Sequence, residues 1–83
     1  MFYKYFVGDT KGWVEVSLVE IERLNLSNLI SSSSYIDDKY IYLDEDLDFS
    51  FFMCYLSDIP DFKKVYVNDT HFDKYKRYEG GLN

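Results

Sequence analysis

Short runs of aromatic and β-branched residues, each closed by a turn signal, constrain the fold of this chain more than any other feature. Phe2–Val7 is one such run, and residues 8–12, which include two glycines, follow it. The next segment, Trp13–Val16, has the alternating residue pattern of a short β-strand. Strand-forming residues on either side of a glycine-containing turn predict two strands joined in a hairpin.

The same pattern recurs further along the chain. Ser31–Ile36 and Lys39–Leu43 are expected to pair as a second hairpin around a turn at residues 37–39. Lys63–Val67 is rich in β-branched and aromatic residues and is expected to be the last strand.

Helix signals separate these strands. Ser17 stands three residues before Glu20 in a capping-box pattern, and Leu18, Ile21 and Leu24 recur at helical spacing. These residues predict a short helix directly after the first hairpin.

Two further helices are expected in the second half of the chain. One runs from about Asp46 to Asp58, with carboxylates in its first turn and an end before Pro60. Thr70 with Asp73 suggests a capped turn, and residues 71–78 predict a short helix that ends at the glycines 80 and 81.

The order β-β-α-β-β-α-β-α predicts a single α+β domain over residues 1–83. We expect a small antiparallel sheet of about five strands with two or three short helices packed on one face. A chain of 83 residues supports one core, and a hydrophobic content of 47% excludes intrinsic disorder.

Residues suited to catalysis are scarce. Cys54 is the only cysteine and His71 the only histidine, which excludes an internal disulfide framework and a zinc site built on paired cysteines. Cys54 lies in a phenylalanine-rich segment, where a buried neutral thiol is expected, although a Cys54–His71 pair stays open as an alternative. The four glycines form no phosphate-binding loop. We therefore predict a protein that is not an enzyme, with no catalytic residues and no cofactor.

Three aspartates have the spacing of a calcium loop. Asp44, Asp46 and Asp48 match its first, third and fifth places, but Phe49 and Tyr55 stand where the loop needs glycine and a bidentate glutamate. This excludes an EF-hand, and we expect solvated carboxylates at a helix N-terminus and no metal site. Weak binding of a divalent ion stays open as an alternative.

Acidic residues and tyrosines together suggest a binding surface. The net charge is −6, and residues 37–61 hold eight acidic residues against one base, Lys39. Alternation in the strand 40–43 places Tyr40 and Tyr42 on the face opposite Ile41 and Leu43. Exposed tyrosines supply rigid contact area and carboxylates select basic partners. The predicted partner-binding residues are Asp37, Asp38, Tyr40, Tyr42, Asp44, Glu45, Asp46, Asp48, Asp58 and Asp61. Alternatively, the tyrosines reflect strand propensity and the acids serve solubility.

In size, charge and composition the chain resembles the small acidic inhibitors that phages and mobile elements encode, including anti-CRISPR and anti-restriction proteins. The resemblance covers no specific motif. It implies a non-enzymatic inhibitor that occupies the basic, nucleic-acid-binding groove of a target protein and presents carboxylates where phosphates belong. We expect a cytoplasmic location, in the bacterial host if the protein is phage-encoded, without membrane or direct nucleic-acid contact.

Two other functions compete with this one. The phenylalanine-rich helix has apolar residues around most of its circumference, which is typical of a structural or accessory protein that self-associates, for example as a homodimer. The stretch 71–78 interleaves basic and aromatic residues, as single-stranded nucleic-acid binders do, but the net negative charge opposes approach to a polyanion.

Overall fold

The computed structural model of the protein describes residues 2–68 and 70–79, which form one six-stranded mixed sheet with two short α-helices. In chain order the elements are β1 (Phe2–Val7), β2 (Gly12–Ser17), α1 (Leu18–Arg23), β3 (Tyr35–Ile36), β4 (Tyr40–Asp44), α2 (Asp48–Met53), β5 (Asp61–Tyr66), a 3₁₀ helix (His71–Lys74) and β6 (Lys76–Arg77). The strand order is β5-β1-β2-β4-β3-β6. The α+β class is confirmed, with one strand more than predicted.

The first hairpin is confirmed. β1 and β2 pair antiparallel with Tyr5 opposite Val14, and the N–H of Gly8 donates to the carbonyl of Lys11 across the turn at 2.8 Å. Gly12 is required here because a Cβ at this position would collide with the ring of Tyr5 and the carboxylate of Glu45. The second hairpin also forms, although β3 holds two residues where six were expected.

The prediction of a purely antiparallel sheet is wrong for β5, which pairs parallel with β1 along its whole length. Because β1 and β4 are each antiparallel to β2, they run in the same direction. After β4 the chain passes through α2 and re-enters the sheet as β5 beside β1. β5 runs in the same direction as β1 and β4. Residue alternation in a strand does not encode the direction of its neighbour, so the sequence pattern could not distinguish these two arrangements.

One face of the sheet carries the main core. Val14, Val16, Ile41 and Leu43 point to this face and are almost fully buried under both helices. The other members of this core are Tyr3, Ile21, Leu26, Ile30, Phe49, Phe52 and Tyr78.

The first helix begins where predicted and the second is shorter than predicted. The hydroxyl of Ser17 accepts a hydrogen bond from the N–H of Val19 and caps α1. The other half of the capping box is replaced, because the carboxylate of Glu20 accepts from the Tyr3 hydroxyl at 2.8 Å. α2 covers six residues, and no side chain caps its N-terminus. In the turn before it, the carboxylate of Asp44 accepts hydrogen bonds from the N–H groups of residues 46 and 47.

The opposite face is also covered, which corrects the expectation that helices pack on one face only. Residues 71–78 form the 3₁₀ helix and β6 in place of the predicted helix. The 3₁₀ helix inserts Phe72 among rings from four strands, at 4.8 Å from Trp13 and 5.2 Å from Tyr35 between ring centroids. We call this group the aromatic layer, which consists of Phe6, Trp13, Tyr35, Tyr42, His71, Phe72 and Tyr75. The predicted cap at Thr70 does not form, and the glycines at 80 and 81 lie outside the described residues.

A buried polar network joins the long loop before β3 to α2. The carboxylate of Asp48 accepts hydrogen bonds from the hydroxyls of Ser31 at 2.8 Å and Ser34 at 2.5 Å, and from the N–H of Ser31. The Ser34 hydroxyl in turn accepts from the N–H of Asp44 at 3.0 Å. The serine run 31–34 is therefore a structural loop, held by one buried carboxylate.

Asp48→Ala is expected to lower the free energy of unfolding by about 3 kcal/mol, because it leaves the buried donors of Ser31 and Ser34 without an acceptor. Urea denaturation followed by circular dichroism measures this loss. Asp46→Ala is the matched control: its side chain is exposed, and a change below about 0.5 kcal/mol is expected. Equal losses in the two variants would contradict a structural role for Asp48.

Candidate protein-binding surface

The structure does not bring the predicted partner-binding residues together on one surface. Asp37, Asp38 and Tyr40 lie at the start of β4, and Glu45 and Asp46 follow its end. The five residues of β4 separate these groups by at least about 13 Å. Of the remaining residues, Tyr42, Asp44 and Asp48 lie in the protein interior. Asp58 lies in the segment before β5, and Asp61 is the first residue of β5.

Tyr42 is buried and Tyr40 is exposed, although both point to the same face of the sheet. Only 3% of Tyr42 is accessible, because Phe72 and Tyr75 lie over it at ring distances of 5.2 and 5.0 Å. Its hydroxyl donates to Asp37 at 2.7 Å. Burial, and then this hydrogen bond, raise the pKa of the Tyr42 hydroxyl well above its ordinary value. The expectation that Tyr42 is exposed is wrong, and Tyr40, at 38% accessible, is the tyrosine of this strand that a partner can reach.

Asp44 and Asp48 are buried at 1% and 3% accessibility, so they are not surface carboxylates. Asp44 forms an ion pair with Lys11 and caps the turn before α2. The predicted solvated cluster therefore does not form, and a cation could not reach these two side chains without displacing Lys11 or the serines. Within residues 2–68 and 70–79, no three His, Cys, Asp or Glu side chains are placed to hold a metal ion together.

Glu45 is engaged by a neighbouring strand. It accepts a hydrogen bond from the Tyr5 hydroxyl, and this bond, followed by burial, raises the pKa of Tyr5 to about 12. Asp46 is exposed beside it. Two acidic residues at this end of the sheet, Asp44 and Glu45, are therefore engaged in contacts within the protein.

The other end of the sheet, where β1, β4 and β5 begin, gathers a different set of carboxylates. α1 starts directly after β2 and brings Glu22 close to Asp38, where both line a hollow of about 470 Å³ with Val19 and Tyr40. Val19 is 71% exposed. We call this set the Tyr40 surface: Val19, Glu22, Asp38 and Tyr40, with Lys39 at its rim.

A larger groove of about 740 Å³ begins on the other side of Tyr40. It is lined by Glu15 and Glu20, and also by Lys4 and Lys63, which are register partners on β1 and β5. Burial raises the pKa of Glu15, and Lys4 opposes this shift. The groove therefore carries two acids and two bases, whereas the hollow beside Tyr40 carries two acids, Glu22 and Asp38, and one base, Lys39.

Asp58 and Asp61 extend the acidic character of this end. Asp58 lines a hollow with Glu20 and Arg23, and Asp61 opens β5. Both are exposed. Glu20 borders this hollow and the groove, and its hydrogen bond from Tyr3 holds it in place.

Sequence reasoning missed Val19 and Glu22. The signal was present, since a helix that buries Leu18, Ile21 and Leu24 must turn residues 19 and 22 outward. What the sequence did not indicate was that α1 would lie beside the turn at Asp38, which depends on the pairing of β2 with β4.

The two residues considered for nucleophilic catalysis are far apart. Cys54 is exposed at the end of α2, which corrects the expectation of a buried thiol, and its Sγ contacts the Ser50 carbonyl at 3.8 Å. His71 stacks on Phe6 in the aromatic layer at 5.5 Å, on the opposite face of the sheet. Burial, and then the charge of Lys74, lower the pKa of His71. A Cys54–His71 pair is therefore wrong.

Neither helix of the described ranges has the length and apolar character that crossing a bilayer requires. Comparison of the chain with protein-family models, curated proteins and solved structures gives no match.

Asp37 has a structural role beside the Tyr40 surface. Its carboxylate accepts from the N–H groups of Lys39 and Tyr40 at 2.9 and 2.8 Å, and from the Tyr42 hydroxyl. Burial alone would raise the pKa of Asp37, but these hydrogen bonds outweigh it and lower the pKa below 3.8.

Asp37→Ala is expected to lower the free energy of unfolding by about 1 kcal/mol at pH 7, because the turn loses the acceptor of three hydrogen bonds. A group with a lowered folded pKa stabilises the fold above its unfolded pKa, and this contribution is lost as the pH falls through the folded value. Denaturation of both proteins between pH 7 and acid should therefore show the difference shrinking below pH 3.8. Asp38→Ala, at the exposed neighbouring position, should change the free energy of unfolding by less than about 0.5 kcal/mol at pH 7. A difference for Asp37→Ala that does not depend on pH would contradict this account.

Proposed function

We propose that the protein is a non-enzymatic binding domain that places its Tyr40 surface against a basic surface of another protein. The observation that carries this proposal is the hollow lined by two exposed apolar side chains, Val19 and Tyr40, together with the carboxylates of Glu22 and Asp38 and one base, Lys39. Protein interfaces combine exposed apolar side chains with charged groups: the apolar side chains provide binding energy, and the charges select the partner.

A nucleic-acid-binding groove is the target that fits this chemistry best. Such grooves display lysines and arginines spaced to neutralise phosphates. Carboxylates at Glu22, Asp38, Asp58 and Asp61 would take the positions of phosphates and exclude the nucleic acid from the groove. This is the mode of action implied by the resemblance to small acidic inhibitors of phages and mobile elements, and it would operate in the cytoplasm of a bacterial cell.

The proposed contact set differs from the one predicted from sequence. It keeps Asp38, Tyr40, Asp58 and Asp61 and adds Val19 and Glu22. It leaves out Tyr42, Asp44 and Asp48, which are buried. Asp37 shapes the turn, and Glu45 and Asp46 lie at the other end of β4.

The test uses the fraction of a bacterial lysate that binds heparin, which is enriched in basic nucleic-acid-binding proteins. The immobilised chain is expected to retain proteins from this fraction that duplex DNA then releases. Asp38→Lys combined with Asp58→Lys should reduce this retention at least about tenfold at about 0.1 M salt, because lysines would face a basic partner.

Asp46→Lys combined with Asp73→Lys is the matched control. It changes the net charge equally, at exposed positions that do not line the hollow beside Tyr40, and should retain the same proteins. Absence of any DNA-releasable protein would refute the proposal. Equal loss in both double variants would also refute it, since retention would then depend on net charge alone.

A second candidate function is self-association through α2. Leu47, Phe51 and Tyr55 follow one another at helical spacing and are 55%, 37% and 45% exposed, and the rings of Phe51 and Tyr55 contact each other at 5.2 Å. This apolar stripe lies opposite the buried residues Phe49 and Phe52. Under this candidate, Phe51→Glu abolishes assembly in sedimentation experiments, and the double lysine variants leave assembly intact.

A further inference from the structure

The outer edge of β5 is the longest exposed edge of the sheet. β5 has six residues, and within residues 2–68 and 70–79 it pairs with β1 and with no other strand. At the opposite edge, β6 has two. All residues of β5 except Val65 are exposed, and 75% of the Tyr66 side chain is accessible.

The direction of the backbone groups in β5 follows from its pairing with β1. The N–H of Val67 donates to the carbonyl of Val7 at 3.0 Å, and Val7 lies opposite Tyr66. In a parallel ladder this geometry points residues 65 and 67 toward β1, and their even-numbered neighbours away from it. The N–H and C=O groups of Phe62, Lys64 and Tyr66 therefore point outward, whereas the carbonyl of Asn68, beyond the end of β5, accepts a hydrogen bond from the N–H of His71 at 3.0 Å.

We propose that a second copy of this chain pairs with β5 along this edge, antiparallel and with Val65 of each copy on the two-fold axis. Such a pair would join two six-stranded sheets into one continuous sheet. Edge strands recruit other strands in this way because their outward backbone groups are a row of ready hydrogen-bonding partners.

The side chains of β5 select this register from the alternatives. A two-fold axis perpendicular to the sheet places one residue opposite its own copy. With Lys63 or Lys64 at the axis, two lysines would face each other, which is destabilising. With Phe62 at the axis, Pro60 would lie opposite Lys64 and could not donate a hydrogen bond.

With Val65 at the axis, every outward-pointing residue meets another. Phe62 lies opposite Asn68 of the second copy, and Lys64 lies opposite Tyr66 of the second copy. The Lys64–Tyr66 pair exchanges two hydrogen bonds and occurs twice. The Phe62–Asn68 pair also occurs twice but contributes one bond each time, because the carbonyl of Asn68 accepts from His71, so the joint would contain about six. An axis at Tyr66 forms fewer such pairs among the described residues.

The side-chain contacts of this register are favourable on both faces. Lys64 would lie against the exposed ring of Tyr66 from the second copy, twice, as a cation–π pair. On the other face Val65 would contact its own copy, and Lys63 would face Val67. Lysines on an edge strand usually discourage pairing; here they exclude the registers that oppose them.

The charge of the edge differs from that of the chain as a whole. Residues 62–68 contain two lysines and no acidic side chain in a chain of net charge −6. In the proposed register no lysine lies opposite another lysine, and the carboxylates of the Tyr40 surface stay outside the joint. This pairing does not depend on the proposed function.

Disulfide trapping tests the register. Cys54→Ser removes the native thiol, and Val65→Cys is then added. In the proposed dimer the two cysteines form a non-hydrogen-bonded pair with Cα atoms about 4.5 Å apart, which a disulfide can span. Mild oxidation should link most of the chains. Lys63→Cys in the same background is the matched control: it lies on the same face of the same strand, but its copies would be about 13 Å apart and should not link.

Sedimentation equilibrium tests the association itself. The wild-type chain should approach twice its mass of 10.0 kDa as concentration rises. Lys64→Pro should remain monomeric, because it removes an outward N–H and leaves the pairing with β1 intact; circular dichroism checks that it folds. Val65→Lys, which opposes two lysines at the axis, is a second disrupting variant.

Three results would overturn the proposal. They are a wild-type chain that stays monomeric at all concentrations, equal linking of the two cysteine variants, and a dimer that Phe51→Glu disrupts while Lys64→Pro and Val65→Lys leave it intact. The last result would assign the association to α2.

Discussion

Covering both faces of β2 and β4 is the constraint on which the rest of this structure depends. These strands are central in the sheet, and their side chains alternate between the main core under α1 and α2 and the aromatic layer under the 3₁₀ helix. Phe72 completes the second face, since it contacts Trp13, Tyr35 and Tyr42 at once. A chain of this length has few residues for a second layer, and large rings cover the most area per residue.

The covering of both sheet faces determines which carboxylates are buried and which are exposed. Asp48 and Asp44 are carried into the interior by the turn and helix after β4, where serine hydroxyls and Lys11 satisfy them. Asp37 and Glu45 bond to tyrosine hydroxyls at the two ends of the sheet. Carboxylates beyond these contacts, such as Asp38 and Glu22, are exposed, and lysines 39, 74 and 76 line the same hollows as Asp38. The acidity of the sequence thus serves folding first, and the surface that it leaves is smaller than the composition indicates.

The exposed features of the molecule fall on separate elements. The Tyr40 surface lies where α1 meets the turn before β4, the apolar stripe lies on the outer side of α2, and β5 offers an open edge. These regions differ in chemistry. The Tyr40 surface combines carboxylates with apolar side chains, the stripe on α2 is apolar, and the edge of β5 carries lysines and outward-pointing backbone groups. The proposed partner at the Tyr40 surface and the proposed second copy at β5 would therefore bind at different places on the molecule.

The sequence by itself determined the local structure: the first hairpin, the cap of α1 at Ser17, and the alternation that sends Ile41 and Leu43 to one face and Tyr40 and Tyr42 to the other. These features depend on neighbours within a few residues, and residue type and spacing are enough to specify them. Tertiary structure alone decided that β5 joins β1 in parallel, that Phe72 buries Tyr42 but not Tyr40, and that Asp48 turns inward to the serine loop. Each of these outcomes depends on contacts between segments that are distant in the chain. These contacts determine which side chains are buried, and burial decides whether a carboxylate or a phenol is a structural group or is accessible for binding.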